Sequence, residues 1–160
     1  MGLTQPTRLF WPFLEGFEEG LESWRVLAPE GARLHTNSTA RMGRAALAVT
    51  LPEGKRSVTI GTTRLRPWHL WKLNYHGVRV WLRTREGAGR ARFSLLTNAY
   101  TTNQAVAVFP REVRFTNQWT RVDLPFAEYP QFDRNAVDVF ALEFIGVGPR
   151  EFLVDDLQLL

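Results

Sequence analysis

The residues of this chain best suited to chemistry fall into three sets. Arg79, Trp81 and Arg83 alternate along a short apolar run, so an extended strand would stand a tryptophan between two guanidiniums on one face. The segment 97–104 is the longest polar loop and gathers the amides of Asn98, Asn103 and Gln104 around Tyr100. Glu143 adds a carboxylate in an alternating apolar run, and Glu18-Glu19 and Asp155-Asp156 are paired acids near the two ends. General acid and base must face each other across a cleft, whereas these pairs sit in a turn and on a terminal strand, where they look like seam residues. His35, His69 and His76 occupy separate segments with no H-x-x-x-H spacing and no nucleophile beside them. Cysteine is absent, which closes thiol nucleophiles, zinc-thiolate sites and disulfides. The expectation is a binding protein rather than an enzyme.

Those side chains need a scaffold, and the alternation supplies one. In Val78-Arg79-Val80-Trp81-Leu82-Arg83 the even positions are apolar and point to a core, which leaves Trp81 and the arginines facing outward. Phe93, Leu95 and Thr97 alternate with Arg92, Ser94 and Leu96, and Phe140, Leu142 and Phe144 with Ala141, Glu143 and Ile145. Eight strands are expected, over residues 45–51, 58–63, 78–84, 91–97, 105–109, 120–124, 137–145 and 151–159, with turn signals such as Pro52-Glu53-Gly54 and Glu86-Gly87-Ala88-Gly89 between them. A short turn near Phe126 to Tyr129 is the one helical signal. Eight such strands predict an all-β, single-domain antiparallel sandwich of the jelly-roll type.

Composition sets the outer bounds. A chain of 160 residues fits one domain that folds without a staple. The net charge is +4, but the cations are scattered without a run, which argues against a nucleic-acid partner. All but Lys55 and Lys72 of the 20 cationic residues are arginine, a hint of a GC-rich genome and a thermophile. No stretch is long and apolar enough for a membrane span, and the first residues lack a secretory h-region. The expected location is extracellular if a signal was removed, or a virion.

Five landmarks then line up in order: Phe17-Glu18-x-Gly20 with Trp24; Gly43 to Val49; Tyr75 to Arg83; Trp119 to Phe126; and Phe152 to Leu157. Together they resemble carbohydrate-binding modules of the galactose-binding-like jelly-roll superfamily, and the related complex I intermediate-associated family, over residues 15–160. The resemblance implies two features. A structural calcium would join the acidic turn to the last strand through Glu18 and Asp155 or Asp156; the alternative is that Glu18 caps a turn and the aspartates bond backbone amides. A glycan site would combine an aromatic platform with groups that hydrogen-bond in plane. Trp81, Arg79, Arg83, Asn98, Tyr100, Asn103, Gln104 and Glu143 are of the right types, and Trp68 and Trp71 form either a second platform or a plug at the end of the sandwich.

Residues 1–14 remain. Leu9-Phe10-Trp11-Pro12-Phe13-Leu14 is too apolar for a solvated tail, so it reads as an N-terminal arm that either pairs along an edge of its own sandwich or docks on another subunit of a homo-oligomer. Two functions are therefore carried forward: a non-catalytic glycan-binding module, and a structural or assembly protein such as a phage virion decoration or tail component whose partners are proteins.

Overall fold

Alternating Val, Leu and Phe side chains along most of the chain bury one face of each strand, and two sheets close on the product. The computed structural model describes residues 13–18, 21–41, 43–65 and 75–160, without the side chains of residues 13–15. Among them run β1 (Phe13–Glu15), β2 (Trp24–Ala28), β3 (Arg33–Asn37), β4 (Ala46–Leu51), β5 (Ser57–Thr62), β6 (Gly77–Thr84), β7 (Gly89–Thr97), β8 (Ala105–Val108), β9 (Val113–Phe115), β10 (Thr120–Pro125), β11 (Val137–Ile145) and β12 (Arg150–Leu159). Sheet A is ordered β10-β6-β12-β4-β3, with β1 also on β12; sheet B is ordered β2-β5-β11-β7-β8, with β9 also on β7. Every pairing is antiparallel. The architecture is the expected jelly-roll sandwich.

Between the sheets lies the predicted core. Val78, Val80, Leu82, Phe93, Leu95, Phe140, Leu142 and Phe144 are all fully buried. Phe144 of sheet B stacks on Phe152 of sheet A with ring centroids 4.8 Å apart and planes 10° from parallel, and Phe115 meets both rings edge-on. Burial of each such ring is favourable by roughly 1.5–3 kcal/mol, so this stack is a principal tie between the layers. Phe17 and Trp24 close one end at 5.3 Å.

All eight expected strands are present, with ends shifted by a residue or so, and the turn after β10 is a 3-10 turn at Phe126–Glu128. β2, β3 and β9 were not anticipated, and β1 was foreseen only as one of the two alternatives for the arm. β3 is an edge strand reading Arg-Leu-His-Thr-Asn with mostly exposed positions, so it carries almost no hydrophobic alternation. β1 and β9 have three residues each, too few to set a period.

The last strand has a divided neighbour. Residues 150–154 of β12 pair with β4, while Gln158 and Leu157 pair with Phe13 and Glu15 of β1. The handover falls at Asp155-Asp156, where Asp156 takes φ 51° and the register against β6 shifts. The end of the predicted arm is thus a strand on its own sandwich; residues 1–12, and Trp68, His69 and Trp71, lie outside the described residues.

Candidate functional site

After β1, the Glu18 carboxylate accepts the amides of Arg44 (2.7 Å) and Ala45 (2.9 Å), and these two bonds hold its pKa below the usual carboxylate value. Gly43 makes this approach possible. Its φ is +72°, and a Cβ there would stand 2.7 Å from the Glu18 carboxyl carbon. Asp155, fully buried, accepts the Arg41 amide at 2.9 Å and the Asp156 amide at 2.9 Å. Asp156, also buried, takes the Arg41 guanidinium at 2.6 Å. The loop before β4 is therefore stitched both to the acidic turn and to the last strand. Glu18 and Asp155 thus accept backbone amides, whereas Asp156 accepts a side-chain guanidinium. Calcium needs six to eight oxygens, and among the described residues no three His, Asp or Glu side chains converge on one point. The side chains of Glu18, Asp155 and Asp156, held by these donors, do not by themselves fit that shell.

Trp81, Arg79 and Arg83 stand on the outer face of sheet A, as the alternation required, but the chain itself engages them. The Arg41 guanidinium lies 4.1 Å above the Trp81 ring, which leaves Trp81 half-buried. Arg79 grips Asp123 of β10 with two bonds, of 2.7 and 3.2 Å; this pairing raises the arginine's pKa and lowers that of Asp123. Arg83 bonds the Thr84 carbonyl at 3.3 Å and faces Trp119 at 5.9 Å.

Asn98, Tyr100, Asn103, Gln104 and Glu143 belong to the opposite layer. The first four sit in the loop between β7 and β8 at one end of sheet B, and Glu143 lies on β11 in its middle. The eight candidate residues thus divide between two outer faces and do not make one site. The loop is a built turn: Asn98 and Tyr100 have positive φ, the Ala99 amide bonds Asp138 at 2.8 Å, and the Tyr100 amide bonds the Gln104 side-chain oxygen at 2.8 Å. Gln104 is accordingly a turn-former. The strain presents Tyr100 to solvent, 65% exposed, with the Arg25 guanidinium 4.7 Å over its ring.

Register shows what that tyrosine borders. Arg25, Gly61, Ala141, Ser94 and Val108 align in one row across β2, β5, β11, β7 and β8. Its middle three side chains are small, so the row is low. The next row reads Thr59, Glu143, Arg92, and Glu143 makes no hydrogen bond or ion pair with the described residues, because Arg92 turns to Glu112 (3.0 Å) instead. On the other side Leu96 and Val139 join Ala99, Ala141 and Leu27 in a small apolar cluster. Leu27 and Val139 close over Gly61, where a Cβ would meet them at 3.0 and 2.9 Å. A recess of about 350 Å³ opens at this end, between Arg25, Tyr100, Gly61 and Val139. Arg25, Thr59, Gly61, Arg92, Ser94 and Ala141 were not among the predicted site residues. The alternation had placed Arg92, Ser94 and Ala141 outward, but only strand pairing brings them beside Glu143.

No family model matches the chain, and no curated protein matches it in sequence. Solved structures match it in fold. A family 11 carbohydrate-binding module from Clostridium thermocellum, in complex with a β-1,3-1,4-mixed-linked tetrasaccharide, superposes with a TM-score of 0.72 at 16% identity, covering 93% of this chain and 94% of that one. The C-terminal family 22 module of Clostridium thermocellum Xyn10B gives 0.65 at 18% identity over 93% and 90% of the two chains. TmCBM61, solved with β-1,4-galactotriose, gives 0.52 at 18% identity over 91% and 93%. The fold is that of a carbohydrate-binding-module jelly roll.

Proposed function

We propose that the chain is a non-catalytic glycan-binding module whose ligand lies across the outer face of sheet B. The observation that supports this most is the recess between Arg25, Gly61, Val139 and the exposed Tyr100 at one end of the small-residue row, with the Glu143 carboxylate, which has no partner among the described residues, on the row's other side. A sugar ring offers an apolar C–H face and a rim of hydroxyls, which suits a floor of small residues, an aromatic plane and in-plane acceptors. Two of the named neighbours add weight, since they are solved in complex with a β-1,3-1,4-mixed-linked tetrasaccharide and with β-1,4-galactotriose. The outer face of sheet A fits the role less well, because Arg41 and Asp123 already engage Trp81 and Arg79.

The test is calorimetric titration with mixed-linkage β-glucan, xylan and β-1,4-galactan against the full chain, Tyr100→Ala, Glu143→Gln and Trp81→Ala. Binding of at least one glycan, lost in the first two variants and kept in the third, is expected. Binding that survives Tyr100→Ala and fails in Trp81→Ala would move the site to sheet A.

A second reading, assembly through protein contacts, rests on another observation. Val106 and Val108 are 54% and 44% exposed on β8, an edge strand of sheet B, and exposed apolar edges invite pairing. A stable oligomer in a solution mass measurement, dissociated by Val106→Lys, would favour it.

A further inference from the structure

Beyond the row of Glu143 and Arg92, the outer face of sheet B changes character. The next residues along the strands are Ile145 on β11 and Arg90 on β7, and Arg90 stands directly opposite Arg114 of β9. These side chains, with Arg150, Ala88 and Gly146, line a recess of about 370 Å³. Strand geometry puts it roughly 7 Å, one side-chain repeat, from the polar row.

The charges there are poorly balanced. Among the described residues Glu112 is the carboxylate that ion-pairs with this cluster, and it is shared between Arg90 (3.2 Å) and Arg92 (3.0 Å). Arg114 has no ion pair with the described residues. Arg150 spends its hydrogen bonds on the neutral carbonyls of Glu86 (2.9 Å) and Ala88 (2.7 Å), which orient its guanidinium without cancelling its charge. Like charges directly opposite across a strand pair are destabilising, and three guanidiniums around one recess concentrate that repulsion. An anion relieves it, and guanidinium forks match the planar or tetrahedral oxygens of carboxylate and sulfate.

We propose that this recess receives an anionic substituent, a carboxylate or a sulfate, of the glycan bound on the adjoining rows, so that the module selects acidic polysaccharides. The proposal rests on the glycan reading of sheet B and deepens it. Arg90 and Arg114 are the specificity residues; Arg150 is held in place by backbone carbonyls and supplies field.

The experiment pairs each acidic glycan with a neutral form of the same backbone: polygalacturonate and glucuronoxylan with their carboxyl-reduced forms, and a sulfated galactan with its desulfated form. Each is titrated against the full chain and against an Arg90→Gln/Arg114→Gln double variant whose melting temperature is checked. At low salt the acidic member of at least one pair should bind at least about tenfold more tightly, the scale of one charge-assisted hydrogen bond. Added salt and the double variant should each erase that advantage while neutral binding stays unchanged. The pair that responds distinguishes carboxylate from sulfate. Equal affinities within every pair would overturn the acidic preference and leave the glycan reading standing. An advantage that persists in the double variant would place the anion elsewhere and overturn the assignment to this recess. No binding to any member, with mixed-linkage β-glucan still bound, would overturn this proposal alone, and no binding to that glucan either would sink the glycan reading with it.

Discussion

The two outer faces of the sandwich are built from similar residue types and end in opposite states. Sheet A carries Arg79, Trp81 and Arg83, and sheet B carries Arg25, Arg92 and Tyr100. On sheet A the chain supplies the partners: Arg41 folds over Trp81 while its backbone and side chain hold Asp155 and Asp156, and Asp123 clamps Arg79. On sheet B, Arg25 lies over one face of Tyr100 but the ring stays 65% exposed, and Glu143 has no hydrogen bond or ion pair with the described residues. An aromatic residue among arginines is therefore not a binding signature by itself. What decides is whether a loop of the same chain arrives first.

Substitution can separate the faces, beginning where they share a foundation. Phe144→Ala removes the ring stacked on Phe152 between the sheets and should cost about 3–5 kcal/mol in urea unfolding. A loss below about 0.5 kcal/mol, the range of ordinary surface changes, would mean the core is not as described. Arg41→Ala strips a buried aspartate of its cation and should cost about 3 kcal/mol, with glycan affinity unchanged. A drop in affinity with intact stability would show that sheet A is the binding face after all.

How much of this could be read beforehand follows the same division. The core positions of β6, β7 and β11 were legible because period-2 alternation is a local property of a strand. Outward placement of Trp81 followed from the same rule. That Arg41, forty residues earlier, would cover it was not legible, because the sequence there has no period and Arg41, Arg44 and Ala45 are held by long-range bonds to Asp155, Asp156 and Glu18. Likewise Glu143 and Tyr100 were named from residue type, but Gly61 and Ala141 are ordinary small residues until register aligns them. The oppositely placed Arg90 and Arg114 are invisible in sequence for the same reason.

Two smaller changes sharpen the contrast. Trp81→Ala loses the cation–π contact with Arg41 and should cost about 1–2 kcal/mol, again without altering glycan binding. Tyr100→Ala should do the reverse. Unfolding should shift by no more than about 0.5 kcal/mol, as expected for an exposed side chain, while affinity falls about tenfold or more, equivalent to about 1.4 kcal/mol. If both variants lose stability and neither loses binding, the assignment of roles to the faces is wrong.

The smallest expected effect is the response to acid. Glu18 is held below its ordinary pKa by the Arg44 and Ala45 amides, Asp123 by the Arg79 side chain, and Glu112 by its bonds to Arg92. A carboxylate whose pKa is lower folded than unfolded contributes stability that is complete above its unfolded value, near pH 4, and is lost as pH falls through the lower folded value. The sign therefore runs toward acid lability. Glu18→Gln should be less stable than the parent chain at pH 7, and the two stabilities should converge as pH falls below about 4, where the parent's Glu18 is itself protonated. Glu112→Gln should converge in the same window, but from a smaller gap, since its arginines are about half exposed and solvent screens them. Glu18 fastens the loop that carries Arg41 onto sheet A, whereas Glu112 only moderates the charge of sheet B. Urea midpoints at stepped pH decide it, and curves for Glu18→Gln that stay parallel to the parent down to pH well below about 4 would remove the turn-capping role given to Glu18.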